Sequence, residues 1–301
     1  MSVVLLSGGS GGAKLARGLY DLLGAELAVI ANTGDDIEIH GAHVSPDPDL
    51  VSYWLADRID ERGWGLRDDT FAAMDMLREL GREVWFSLGD RDLALCLERR
   101  RLLEEGVSLS EAHAALTRAL GVQAQVIPMS DERVRTTIRS GEQTLSLQEF
   151  LIAHHGAAPI DDVAFEGATE AAGSPAALEA LRAARTIIIG PSNPVISIGP
   201  ILAIDSIRAA IEVSSSPVVA VSPIVHGDVL KGPTAACMAW AGERADAAGV
   251  ARLYAPLLDG IVTDEAVEGL RSLECDTLMH DAVSRRRLAG QTLEFADALS
   301  G

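Results

Sequence analysis

Apolar positions along this chain fall into two patterns. Short runs of β-branched and aliphatic residues alternate with longer stretches whose apolar side chains recur every three or four positions. The short runs predict strands over 3–6, 27–31, 84–88, 186–189, 218–221 and 260–262, each nearly continuous in apolar character, as helices on both sheet faces require. Helical periodicity marks AKLARGLYDLL, DLVSYWLADRIDE, DDTFAAMDMLREL, SEAHAALTRAL, SPAALEALRAAR and GPTAACMAWAGERAD. In the fifth, Ser174 is a good cap and Pro175 takes the first helical position. This alternation predicts a Rossmann-like, doubly wound, mostly parallel α/β sheet.

Residues 124–156 read differently. Short polar-alternating strands with a Ser-Gly turn at 140–141 and a following helix predict a small α+β insertion. Without repeats, a low-complexity linker or a charged tail, residues 1–301 are expected to form one Rossmann-like domain carrying that inserted subdomain.

Composition narrows the partners. The 25 basic and 44 acidic side chains give a formal charge of -19. That field repels nucleic acid and anionic membrane, so an anionic ligand needs local positive groups. Three scattered cysteines, Cys96, Cys237 and Cys275, indicate neither a disulfide framework nor a zinc ribbon. The opening residues lack signal-peptide features, and the longest apolar stretch, TIIIGPSNPVISIGPILAI, is broken by prolines and glycines. A cytoplasmic location is expected.

The chemistry gathers where strands end. SGGSGGAK follows the first strand, yet Lys14 is followed by Leu15 rather than Ser or Thr, so a Walker A loop fails. The dinucleotide fingerprint fails too, because Lys14 stands where its third glycine belongs and the second strand ends in Ala31-Asn32 without a ribose-binding acid. What remains is a glycine turn at a helix N-terminus, suited to a phosphate, with Lys14 in the first turns. After the second strand come Asp35, Asp36, Asp47 and Asp49, hard oxygen ligands that suit Mg²⁺ on a diphosphate. Asp49 is also a plausible helix cap, and His40 and His43 lack zinc-ligand spacing. WFSLGDRDLA offers Arg91 to a phosphate or carboxylate, or else its Asp90-Arg91-Asp92 is a loop ion pair plus a cap. Ser192, Asn193 and Ser197 of PSNPVIS can read a base or ribose, and Lys231 opens a later helix as a further anion contact.

LSGGSGGAKLARGL, NTGDDIEIHG, SPDPDLVSYWLAD, WFSLGDRDLA, PMSDERVRT, PSNPVISIGPIL, SPIVHGDVLKGP and DTLMHDAVSRRRLAGQTLEF together resemble the 2-phospho-L-lactate transferase (CofD) family, in order and over nearly the whole chain. The resemblance implies a step of coenzyme F-420 biosynthesis. The terminal hydroxyl of the deazaflavin FO would attack the acid-bearing phosphorus of a three-carbon acid joined through a diphosphate to guanosine, releasing GMP with Mg²⁺ assisting. It implies Gly8, Gly9, Gly11, Gly12 and Lys14 at the diphosphate and Ser192 and Asn193 at the guanosine. Asp49 and Arg91 would lie at FO, Asp35 with Asp47 or Asp49 at the metal, and two copies would form a homodimer. Asp47-Pro48-Asp49-Leu50 replaces the usual Asp-Leu-Asp-Thr, Leu95-Cys96 replaces Thr-His, and Thr234-Ala235-Ala236 follows KGP. These departures leave the acid open among phospholactate, phosphoenolpyruvate and phosphoglycerate. The competing reading is a non-catalytic nucleotide-sugar binder of the gluconeogenesis-factor type, which shares the glycine opening but not NTGDDIEIHG or LGDRD.

Overall fold

The computed structural model describes residues 2–229 and 232–300. Seven strands form its main sheet: β1 (Ser2–Ser7), β2 (Leu27–Ala31), β3 (Gln125–Pro128), β4 (Ala184–Ile189), β5 (Val218–Val221), β6 (Gly260–Thr263) and β7 (Arg271–Glu274). Every neighbouring pair is parallel, in the order β3-β2-β1-β4-β5-β6-β7. Because successive side chains point to opposite faces, the continuous apolar runs divide between two cores. Val4, Leu6, Ile187, Ile189 and Ala220 enter one; Val3, Leu5, Ile188, Val219 and Val221 enter the other. The first is covered by helices Pro175–Arg182, Asp205–Glu212 and Ala247–Tyr254. The second is covered by α1 (Gly9–Leu23) and the helix Ala282–Leu299. The sheet is α/β and doubly wound, as the alternation predicts, and its order reverses between β1 and β4, where such sheets open a crevice.

Four more helices lie between β2 and β3: α2 (Pro46–Leu55), α3 (Ala72–Glu79), α4 (Asp90–Glu104) and α5 (Leu109–Ala119). Here the structure corrects one expected strand. Residues 84–88 form no strand; Phe86 and Leu88 instead fill a satellite core with Ala42, Val44, Met74 and Cys96. An apolar run alone does not distinguish a sheet strand from a loop buried under helices. A second correction concerns the start of the insertion. Gln125–Pro128 is the edge of the main sheet, and a separate antiparallel sheet follows from Arg135–Ser140, Gln143–Ser146 and Asp162–Glu166. Thr136 N–H donates to the Gly34 carbonyl at 2.7 Å, fastening that small sheet over the loop after β2. Among the described residues no single helix is long and apolar enough to cross a membrane.

Candidate functional site

The chain leaves β1 at Ser7, turns through Gly8 and enters α1 at Gly9. Gly9 has φ +62°, a left-handed conformation that glycine adopts without strain. Gly11 is required for a different reason: a Cβ there would overlap the Pro191 carbonyl oxygen. The loops after β1 and β4 thus meet backbone to backbone at the switch point. Gly8 N–H donates to Ser192 Oγ at 3.2 Å, and Gly9 N–H donates to Asp47 Oδ1 at 2.5 Å.

Above this junction lies a cavity of about 440 Å³. Gly8, Gly9, Gly11, Lys14, Ser192 and Asn193 line it, together with Ser197. Gly12 is buried below, where a Cβ would crowd Ser7 and Ser192, so it serves packing. The Lys14 ammonium reaches the Met279 carbonyl at 3.3 Å, tying α1 to the loop before the last helix. Thr277, Leu278 and Met279 complete the wall, and the buried Thr277 Oγ1 has no hydrogen-bond partner. The sequence reading assigned that segment nothing beyond its family resemblance. Asn193 is committed elsewhere: its Oδ1 accepts from Val195 and Ile196 N–H, and its Nδ2 donates to Thr234 Oγ1. It caps a turn and shapes the wall rather than offering a spare amide. Lys231 lies outside the described residues.

The carboxylates sort themselves by partner. Asp47 takes Gly9 N–H on one oxygen and Asn32 Nδ2, at 2.9 Å, on the other. Burial pushes its pKa up to about 6 against those hydrogen bonds. Asp35 is pushed well above the ordinary range, first by burial and then by the charges of Asp47 and Asp36. Gln148 Nε2 donates to its carbonyl and to Oδ2, while the buried Oδ1 has no partner. Asp36 is satisfied by Ser45 Oγ at 2.7 Å and His43 Nε2 at 3.0 Å. Asp47, hydrogen-bonded to the glycine turn, acts electrostatically on Asp35, whose Oδ1 is orphaned, and two such carboxylates suit a hard divalent cation. Asp35 and Asp47 would hold it.

Asp49 does not belong to that pair. Its carboxylate is gripped by the guanidinium of Arg99, which is fully buried and also donates to the His43 carbonyl at 2.9 Å. Asp49, Asp92 and Cys96 bring ligand atoms within 4.8 Å of one another, but Arg99 already supplies the positive charge there. Tyr53 OH donates to Asp92 Oδ1 at 2.6 Å, and burial raises Asp92 to about 6 and the Cys96 thiol far above its usual value. Sequence reasoning missed Arg99, although Asp92, Cys96 and Arg99 are spaced four and three apart on one face of α4.

The LGDRD segment divides its work. Asp90 accepts from Thr70 Oγ1 and from Ala72 and Ala73 N–H, capping α3 from a distance. Asp69 returns the favour by accepting from Arg91 and Asp92 N–H at the start of α4. The Arg91 side chain is exposed, and no described residue pairs with it. It is therefore available to a ligand, but it does not line the cavity beside Lys14.

With this geometry in view, three comparisons place the chain. The family model described as 2-phospho-L-lactate transferase CofD matches residues 3–290. The 2-phospho-L-lactate transferase of Methanopyrus kandleri is 39% identical over 100% of this chain and 99% of its own length. The phosphoenolpyruvate transferase of Kitasatospora aureofaciens is 38% identical over 99% of this chain and 98% of its own. In fold alone, a UPF0052 family member from Bacillus halodurans superposes with TM-score 0.62 and 16% identity, covering 97% of this chain and 98% of its own. The chain belongs to the 2-phospho-L-lactate transferase CofD family, and it is a transferase.

Proposed function

We propose that this transferase moves a phosphorylated three-carbon acid from its guanosine diphosphate derivative to the terminal hydroxyl of the deazaflavin FO, releasing GMP, in coenzyme F-420 biosynthesis. The observation that carries the reading is the glycine turn hydrogen-bonded to Asp47, with Asp35 behind it. One hydrogen bond joins the wall of a nucleotide-sized cavity to a carboxylate pair suited to Mg²⁺. The relatives named for phospholactate and phosphoenolpyruvate transfer support it.

In the reaction the FO hydroxyl oxygen bonds to the acid-bearing phosphorus and the bond from that phosphorus to the bridging oxygen breaks. The hydroxyl proton is lost, and GMP leaves with the bridging oxygen. Transfer of this kind needs alignment and neutralised charge rather than a covalent enzyme intermediate. Gly9 N–H is fixed by Asp47, and Lys14 and the α1 N-terminus offer positive charge to the diphosphate. Asp35 and Asp47 would hold Mg²⁺, which when bound would supply charge neutralisation on the phosphates. Arg91, exposed at the start of α4, and Asp49, fixed by Arg99, make the FO side of the proposal. Asp49 acts there by holding Arg99 and the α2–α4 packing in place.

The test is incubation with FO, Mg²⁺ and guanylylated 2-phospholactate, phosphoenolpyruvate and 3-phosphoglycerate, each a guanosine diphosphate bearing the acid on its outer phosphate, read by mass spectrometry. A deazaflavin phosphodiester and equimolar GMP are expected from at least one donor. Absence of product with all three overturns the reading. Asp35→Ala is expected to abolish turnover while the circular dichroism spectrum is kept.

A further inference from the structure

A second cleft, of about 180 Å³, opens beside Asp35 between the loop after β2 and the small antiparallel sheet. We propose that this cleft is the subsite for the carboxylate of the transferred acid, received by Arg133 with Arg135 and Thr136. The proposal rests on the transferase reading above and deepens it.

Four observations carry it. Arg133 lines the cleft, is exposed, and makes no hydrogen bond or ion pair with any described residue. Thr136 Oγ1 is buried there without a partner, like Asp35 Oδ1 across the same cleft. Two orphaned polar atoms in one small space imply a polar occupant. Arg135 is held rigidly, with Nη1 on the Val134 carbonyl at 2.8 Å and Nη2 on Glu38 Oε1 at 2.9 Å, so its positive edge is preset.

The cleft also carries acidic groups, and their partners decide its sign. Glu38 is consumed by Arg135 and His43, and Asp36 by His43 and Ser45. Asp35 is the member of the carboxylate pair proposed for the cation, and Glu166 stands exposed at the rim. That leaves Arg133 and the hydroxyl of Thr136 as uncommitted donors. Position agrees with chemistry. Gln148 lines this cleft and Leu151, three residues on, lines the nucleotide cavity, so one turn separates the two spaces. Asp35 lines the cleft, and Asp47, whose charge acts on Asp35, accepts from Gly9 N–H on the wall of the nucleotide cavity. A donor with its diphosphate over the glycine turn would therefore extend its short acid past Asp35 into the cleft.

The decisive comparison uses two donors, guanylylated 2-phospholactate and guanylylated isopropyl phosphate, in which a methyl group replaces the carboxylate. Wild-type enzyme is expected to favour the first in kcat/KM by roughly 10- to 100-fold, the range for a charge-assisted hydrogen bond. Arg133→Ala should bring that ratio close to one, Arg133→Lys should restore part of it, and Thr136→Val should lower it by roughly 5-fold. GDP affinity, measured by calorimetry, should be unchanged in all three. Equal use of both donors by wild type, or an unchanged ratio in Arg133→Ala, overturns the subsite while the transferase reading stands. Parallel loss of GDP affinity overturns it too, by placing Arg133 at the nucleotide. No product from wild type with any carboxylated donor overturns the transferase reading itself.

Discussion

Asp49 and Arg99 show how one residue's role depends on a partner that its own motif does not contain. In the sequence Asp49 is one of four acids in a short stretch and reads as a metal ligand. In the fold it is buried against an arginine fifty positions away. Breaking a buried pair strands a charge, which costs about 3–5 kcal/mol. Arg99→Met should therefore lower the urea midpoint by that equivalent, and the double variant Arg99→Met with Asp49→Leu should recover most of the loss. A double variant no more stable than Arg99→Met would show that the pair is not the source of the effect. Local sequence could show which carboxylates were grouped, because spacing within a loop is visible. It could not show which one meets the guanidinium, since that depends on how α4 packs across α2.

At the scale of elements, legibility followed burial. The central strands β1, β2, β4, β5 and β6 are apolar runs closed on both faces and read cleanly from the chain. The two strands not read as part of the main sheet are its edges. β3 reads QVIP, and its terminal proline is tolerable because an edge has one ladder to satisfy. β7 reads RSLE, with both ends exposed. The glycines divide in the same way, by what surrounds them rather than by motif. Gly11→Ala should force apart the loops after β1 and β4, because the obstructing atom is backbone. A drop of at least 10-fold in GDP affinity, or about 1.4 kcal/mol, is expected. Gly290→Ala is the counterpart. It lies within the helix Ala282–Leu299, and its added Cβ would meet only Leu22 Cδ1 at 3.9 Å. Helix propensity should then raise stability by about 1 kcal/mol with GDP binding unchanged. If both variants behave alike in calorimetry and urea melts, the distinction between packing and propensity here is wrong.

For the whole molecule, a formal charge of -19 would repel the proposed anionic donor, and Lys14, the α1 N-terminus and the proposed cation are the local positive groups that would offset it. The fold class and the position of the glycine turn were readable because both follow from hydrophobic pattern and strand ends. The division into a larger cavity over the glycine turn and a smaller cleft beside Asp35 was not, because it arises only when the antiparallel sheet packs beside the loop after β2. That packing has a thermodynamic consequence. Asp47 is raised to about 6 and Asp35 is also raised, so the native state keeps protons that the unfolded chain releases near the ordinary aspartate value. Where the native state binds more protons, stability falls as pH rises. Asp47 therefore subtracts stability progressively between about pH 4 and 6, and Asp35, raised in the same direction, adds to that loss as pH rises. A divalent cation reverses that cost by binding the ionised pair, so its effect must grow over the same window. At free Mg²⁺ near 100 times Kd the gain is about 2.7 kcal/mol. Melting at pH 7.5 should rise by several degrees on adding Mg²⁺, while at pH 5 the shift should nearly vanish. Asp35→Asn should remove the Mg²⁺ shift at pH 7.5 and make the decline in stability with rising pH shallower. A Mg²⁺ shift of equal size at both pH values, or one that survives Asp35→Asn, would place the cation elsewhere.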